Sequence, residues 1–296
     1  MLQTKQKINL REERNFGDKL NATFYFIKTN FRPLLRVLLL YVTPVALAAG
    51  IFSGLFQART FQRMTGEGAY STFVGNIFMN QVTSLNYILS MFFTLLSIFI
   101  LSLTVYSFMV VYQDEEGEVQ TAAVWEHIKG NLVPVVYSGV VISVVTFLSI
   151  FLFGLGIYLG IVLSLFIMVM VREESGFIET VERCFYLIKG NWWATFGFLL
   201  VVGIIQGLIG FLAALPLGAV TILHAFEVPG MDSDILLVVV NALASVLSIF
   251  LYCIYAVAIG FQYYNLVEQK DGIGLIEQVN LIGRTDTNLT ANEGEF

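Results

Sequence analysis

Residues 130–171 read GNLVPVVYSGVVISVVTFLSIFLFGLGIYLGIVLSLFIMVMV, and none of them is Lys, Arg, Asp or Glu. A helix crosses the hydrocarbon core with about 20 apolar residues, so this run is about twice the length one crossing needs. Its natural break is Phe153-Gly154-Leu155-Gly156, where two glycines allow a tight turn. The run is therefore expected to be a helical hairpin that crosses the bilayer twice. It lies between two copies of one motif, Ile128-Lys129-Gly130-Asn131 and Ile188-Lys189-Gly190-Asn191. A looser third copy is Ile27-Lys28-Thr29-Asn30.

The rest of the chain suits the same solvent. Hydrophobic residues make up 57% of it and charged residues 13%, with a mean hydropathy of +0.77. A soluble domain carries about 25% charged residues. Four further uncharged stretches reach spanning length: Val37 to Gln57, about Leu85 to Tyr112, about Ala194 to Leu215, and about Ile235 to Gln262. With the hairpin the expectation is six spans. Pro44 should kink the first, and the fifth should stop near Pro216. A mixed polar and apolar segment precedes the first span, so the N-terminus does not read as a cleavable signal peptide. Cys184 and Cys253 are too few for a disulfide framework.

Charge sets the expected orientation. The N-tail, the second and fourth loops and the C-tail hold fourteen of the Lys and Arg residues; the opposite side holds only Arg59 and Arg63. Under the positive-inside rule both termini are cytoplasmic.

Each motif copy ends an expected amphipathic helix. Ile178, Val181, Phe185, Ile188 and Trp192 recur at helical spacing, as do Leu20, Phe24, Ile27 and Phe31. Such helices should lie in the interface plane, their apolar stripes against acyl chains or the bundle. Lys28, Lys129 and Lys189 can snorkel to headgroups. Asn30, Asn131 and Asn191 stand at helix C-termini, where glycine and asparagine tolerate the left-handed conformation. Trp192 and Trp193 fall where an aromatic belt belongs. The expected fold class is all-α and polytopic, with six transmembrane helices in three tandem parallel units, each led by an interfacial helix. The units cover about 17–112, 113–171 and 172–264, and a cytoplasmic tail covers 265–296. Val267 to Val279 resembles the opening of the third unit, as the start of a fourth without spans.

All thirty-eight charged residues fall outside the six span cores. Proton relays and ion paths place ionisable groups inside the membrane, so proton-coupled transport is disfavoured. His127 and His224 fall on opposite sides, and no zinc spacing, Walker pattern or nucleophile elbow occurs. Gly203 with Gly207, and Gly156 with Gly160, fit the small-xxx-small pattern for helix contact. Gln206, Asn241, Tyr252 and Tyr255 are the residues expected near any intramembrane polar site. The 58–84 loop, with Phe61, Tyr70, Phe73 and Phe78, reads as a short interfacial helix or a cover over the bundle, and Leu217 to Asp234 as a solvated outer loop.

Ile188-Lys189-Gly190-Asn191-Trp192-Trp193, its copy at Ile128 to Leu132, and the six-span plan resemble a loose group of bacterial membrane proteins. That group includes the membrane domain attached to some glycerophosphoryl diester phosphodiesterases. The resemblance implies a multi-pass protein of the bacterial inner membrane. It does not extend to any catalytic domain. The expected function is non-enzymatic, lipid-organising or partner-binding, with no cofactor, no metal and no nucleic acid. The expected partners are membrane lipids, then a membrane protein or a further copy of this chain. The alternative is a transporter or flippase-like protein for an apolar or amphipathic solute.

Overall fold

A computed structural model describes residues 7–65, 83–115, 117–151, 154–226, 228–231, 233–276 and 279. The described residues form helices and no strands. In chain order the helices are α1 (Phe16–Thr29), α2 (Phe31–Tyr41), α3 (Thr43–Thr65), α4 (Leu85–Asp114), α5 (Thr121–Ile150), α6 (Leu155–Leu163), α7 (Phe166–Glu173), α8 (Phe177–Ile188), α9 (Trp192–Ala225) and α10 (Asp234–Asp271).

Helices α4, α5, α6 continued by α7, α9 and α10 are each long and apolar enough to cross a membrane. Helices α2 and α3 make a sixth when taken as one span bent by 59°. The protein is therefore an all-α polytopic membrane protein. The bend falls at Val42, just before Pro44. Proline has no N–H to give the carbonyl of Leu40, and its ring crowds that carbonyl. The long uncharged run does turn at Gly154, which adopts φ +81°, a conformation open to glycine at no steric cost.

Three boundaries differ from expectation. Gly130 and Asn131 do not end a helix; α5 runs through both to Ile150. Val124, Ile128 and Val135 form one buried stripe that crosses the motif without a break, and this packing outweighs the local stop signal. Pro216 lies inside α9, which continues to Ala225. The last turn of α9 is held by His224, whose ring lies 5.3 Å from that of Phe61 and whose Nδ1 is 3.1 Å from the Met231 carbonyl. Much of the expected outer loop after Leu215 is thus helical. Finally, α10 extends to Asp271, past the expected end of the last span at Gln262, and Ala256 to Val267 are all buried. Past Thr65, the 58–84 loop with Tyr70, Phe73 and Phe78 lies largely outside the described residues.

Helix α10 packs against α3, α9, α4 and α1, and α4 packs against α3, α5, α7 and α2. The closest approach is between α3 and α10. A Cβ on Gly54 would lie 2.6 Å from the Val238 Cα, and one on Gly50 would meet Ala242 at the same range. With Ala46 and Ala58, these glycines form a small-residue stripe at four-residue spacing. The expected pair does not act this way, because nothing lies within 4 Å of a Cβ on Gly207.

Helix α1 lies across the ends of three spans. Phe16 meets Phe198 on α9 at 5.8 Å, and Phe26 meets Phe261 on α10 at 5.8 Å and Tyr112 on α4 at 5.0 Å. Helix α8 instead packs along α7 and α6, with Phe177 at 5.5 Å from Phe166 and Phe185 at 6.4 Å from Tyr158. Both helices turn part of their expected apolar stripe outward: Phe24 on α1 and Ile178 and Phe185 on α8 are exposed, as is Phe31, which opens α2. Their buried positions are Lys19, Thr23 and Phe26 on α1, and Thr180, Cys184, Leu187 and Ile188 on α8.

Candidate functional site

Arg11, Asp114, Arg172, Glu173, Arg183 and Asp271 converge at one end of the bundle. Residues 7–15 form a strap over the ends of α4 and α10. The Lys7 Nζ donates to the Glu115 carbonyl at 2.7 Å, the Ile8 N–H to the Tyr112 hydroxyl at 2.8 Å, and the Arg14 N–H to Asn265 Oδ1 at 2.7 Å. Leu10 is fully buried beneath the strap. A short apolar anchor flanked by backbone donors suffices to hold an otherwise polar segment.

Under the strap lies a network of ion pairs. Arg172, at the end of α7, bonds Asp114, at the end of α4, and Arg11 approaches the same carboxylate at 3.9 Å. Arg183 on α8 bonds Glu173 through Nε at 3.0 Å and also bonds Asp271 on α10. Burial works against the Arg183 charge, but the hydrogen bonds it donates to Asp271 and Glu173 outweigh it and hold the pKa above the usual arginine value. The Tyr263 hydroxyl donates to Glu173 Oε1 at 2.9 Å. The network lines a half-open cavity of about 230 Å³ walled by Arg11, Arg172, Arg183, Glu173, Tyr263 and Tyr264, among others. The Tyr264 hydroxyl is buried there without a hydrogen-bond partner.

Beside the network stands a buried cation. Lys19 is 5% exposed and donates from Nζ to Gln262 Oε1 at 2.7 Å. Gln262 in turn donates from Nε2 to Thr195 Oγ1 at 2.8 Å, and the threonine hydroxyl donates to the Asn191 carbonyl at 2.9 Å. The ammonium also sits 5.0 Å over the Phe198 ring. Burial pushes the Lys19 pKa below the usual lysine value. Sequence alone placed every charge in loops or on polar faces; this one is directed inward. Its signal was Lys19 and Thr23 at four-residue spacing with Phe26, which share a helix face beside the apolar stripe.

The repeat-motif residues occupy comparable but unequal places. Lys28, Lys129 and Lys189 are all exposed. Asn30 Nδ2 caps the Phe26 carbonyl at 3.1 Å, and Asn131 Nδ2 bonds the His127 carbonyl at 3.0 Å, in each case the residue four back. Asn191 instead donates to Gln269 Oε1 at 3.1 Å, tying the motif to α10. Only in this copy does the glycine, Gly190, take a positive φ, +87°. Trp192 stacks on Phe196 and Tyr158 at 5.3 and 5.9 Å, whereas Trp193 is 77% exposed.

Of the four residues expected around an intramembrane polar site, Asn241 stands apart from Gln206, Tyr252 and Tyr255. Asn241 is buried and paired with Gln57 on α3, whose Nε2 donates to Asn241 Oδ1 at 2.7 Å; its own Nδ2 donates to the Leu237 carbonyl at 2.9 Å. Tyr252 lies eleven residues along the same helix, roughly 16 Å away at 1.5 Å per residue. Thr195 pairs with Gln262, and a Cβ on Gly203 would meet Tyr255 at 4.0 Å. That antiparallel register sets Gln206 level with Tyr252, which is 41% exposed. Gln57 was missed because it closes the first span, where an amide reads as a boundary residue.

Among the described residues, no group of three His, Cys, Asp or Glu side chains could hold a metal ion. Comparison with protein-family models, with curated proteins and with solved structures found no match.

Proposed function

We propose that this protein is a non-enzymatic membrane component that organises anionic lipid around its charged end, with that end in the cytoplasm. One observation carries the reading. Lys28, Lys129 and Lys189 are each exposed close to outward-facing aromatic side chains: Phe24, Tyr25 and Phe31 for the first, Trp125 for the second, and Tyr186 and Trp193 for the third. Aromatic rings favour the headgroup level, and a lysine there attracts anionic lipid by about 1 kcal/mol. The excess of Lys and Arg in the same segments supports the cytoplasmic placement. The likeness to the phosphodiesterase membrane domain belongs to this reading as a source of fold, without the catalysis. Solute transport has less support, because Asn241 bonds Gln57 in a closed helix crossing and stands apart from Gln206 and Tyr252.

The test is extraction of the full chain into lipid nanodiscs directly from the membrane, followed by mass spectrometry of everything retained. Enrichment of anionic phospholipid over the bulk membrane supports the proposal. A lipid composition equal to the bulk, with a stoichiometric protein partner, would replace it with a subunit role.

A further inference from the structure

We infer that the protein holds an uncharged, oxygen-bearing lipid within the bilayer, in a notch where α9 meets α10. Gln206, Tyr252 and Tyr255 bond its carbonyl or hydroxyl oxygens, with Tyr106 of α4 beside them. The notch is separate from the exposed lysines, and the inference does not rest on the surface-lipid reading.

The four side chains gather at one depth. Gln206 on α9 is level with Tyr252 on α10, and the Tyr255 ring lies 4.0 Å from a Cβ placed on Gly203, about one turn before Gln206. Tyr255 is within electrostatic range of both Tyr252 and Tyr106. By helical rise Gln206 stands about 20 Å beyond Trp193, inside a hydrocarbon core ~30 Å thick.

Each of the four has hydrogen-bonding capacity that the fold leaves unused. Among the described residues, none of these side chains has a hydrogen-bond partner. The other amides of α10 show the usual outcome: Asn241 pairs with Gln57, and Gln262 with Lys19 and Thr195. Polar groups in proteins are nearly always paired, and hydrocarbon holds no water to stand in. The four are also reachable. Tyr252 is 41% exposed, and Gln206 and Tyr255 are half-buried. Tyr106 is 2% exposed, yet its hydroxyl keeps accessible surface, unlike that of Tyr264. Beside Gln206 helix α9 carries little bulk, since nothing lies within 4 Å of a Cβ on Gly207 or Gly210. A ligand's chain can lie there against backbone.

The lining selects the ligand. Three phenols and one amide offer five donors, so the occupant needs oxygen acceptors; the Gln206 carbonyl oxygen also accepts from a hydroxyl. Residues 85–113, 194–226 and 235–267 hold no Lys, Arg, Asp or Glu. A charged headgroup would therefore lose its water and find no counter-ion. An uncharged lipid with carbonyl or hydroxyl oxygens, such as a diacylglycerol or an isoprenoid quinone, brings acceptors to this depth without that cost.

The experiment places the full chain in phosphatidylcholine nanodiscs with one of two photoreactive probes, a diacylglycerol or an isoprenoid quinone, each bearing a diazirine on its chain. Adducts are mapped by peptide mass spectrometry. Saturable labelling beside Gly207 and Tyr252 by the first identifies a glyceride, and by the second a quinone; either supports the site. Gln206→Leu and Tyr252→Phe should each weaken labelling about threefold, the size of one hydrogen bond between membrane helices. Q206L/Y252F/Y255F should weaken it at least about tenfold. The Tyr→Phe changes keep the rings and should fold, so they remain decisive if Gln206→Leu does not. K28Q/K129Q/K189Q should label as the unaltered chain does, so failure of the surface-lipid reading would leave this one standing. No saturable labelling by either probe, or equal labelling of the triple variant, would overturn the site. A dimer that Gln206→Leu converts to monomers would overturn it too, assigning the amide to a contact between copies.

Discussion

A Cβ placed on Gly50 would stand 2.5 Å from the Cα of Ala242 and 2.8 Å from the Asn241 carbonyl oxygen. Helices α3 and α10 therefore touch backbone to backbone, at a distance only glycine permits. Gly50→Ala should destabilise the protein by about 1–3 kcal/mol, as over-packing does in a closed interface. Gly207→Ala, with nothing within 4 Å of the added carbon, should change stability by no more than about 0.5 kcal/mol. Thermal unfolding of both variants in one detergent checks the difference, and equal losses would contradict the crossing.

Asn241 and Gln57 form an amide pair across the same crossing. Asn241→Leu should cost about 0.6 kcal/mol, up to about 1.7, the range of hydrogen bonds between membrane helices. Adding Gln57→Leu should recover part of this, because the orphaned partner is removed as well. A double variant whose loss equals the sum of the single losses would show that the two amides do not interact.

Lys19 gives a pH dependence with a definite sign. Its folded pKa lies below the usual lysine value of 10.5, because burial disfavours the charged form. Just below 10.5 the unfolded chain then holds more protons than the folded one, so this residue's contribution to stability rises with pH through that window. Lys19→Met should remove that part of the alkaline slope just below the usual lysine pKa. Identical slopes in the two proteins, followed by thermal unfolding, would show that the ammonium is solvated.

Cys184 is buried on the inward face of α8, and burial raises its thiol pKa to about 12. The thiolate is the reactive species. A maleimide probe near neutral pH should leave Cys184 unlabelled in the folded protein and label it after denaturation. Rapid labelling under native conditions would mean that α8 does not pack against α7 as described.

Much of this architecture could be read from the residues. The uncharged run turns at Gly154, the first span breaks beside Pro44, and α4 covers nearly the stretch that its lack of charge outlines. What escaped reading depended on packing between distant segments. Gly130 and Pro216 look like stops, yet each helix continues because its next residues, Val135 and His224, are buried against other elements. Gly50 and Gly54 carry a readable small-residue spacing, but nothing local distinguishes them from Gly203 and Gly207, which stand in open space or nearly so. The candidate polar site was hardest. Arg11, Asp114, Arg172, Arg183 and Asp271 each look like solvated loop or helix-end charges, and only the folded chain gathers them.

The central claim is that three exposed lysines beside outward aromatics hold anionic lipid. Its most direct test is spin-labelled lipid partitioning around the purified full chain, comparing phosphatidylglycerol with phosphatidylcholine. The unaltered protein should prefer the anionic lipid, and K28Q/K129Q/K189Q should lose most of that preference, at about 1 kcal/mol per lysine. Equal partitioning of the two lipids around the unaltered protein, or a preference unchanged in the triple variant, would contradict the account.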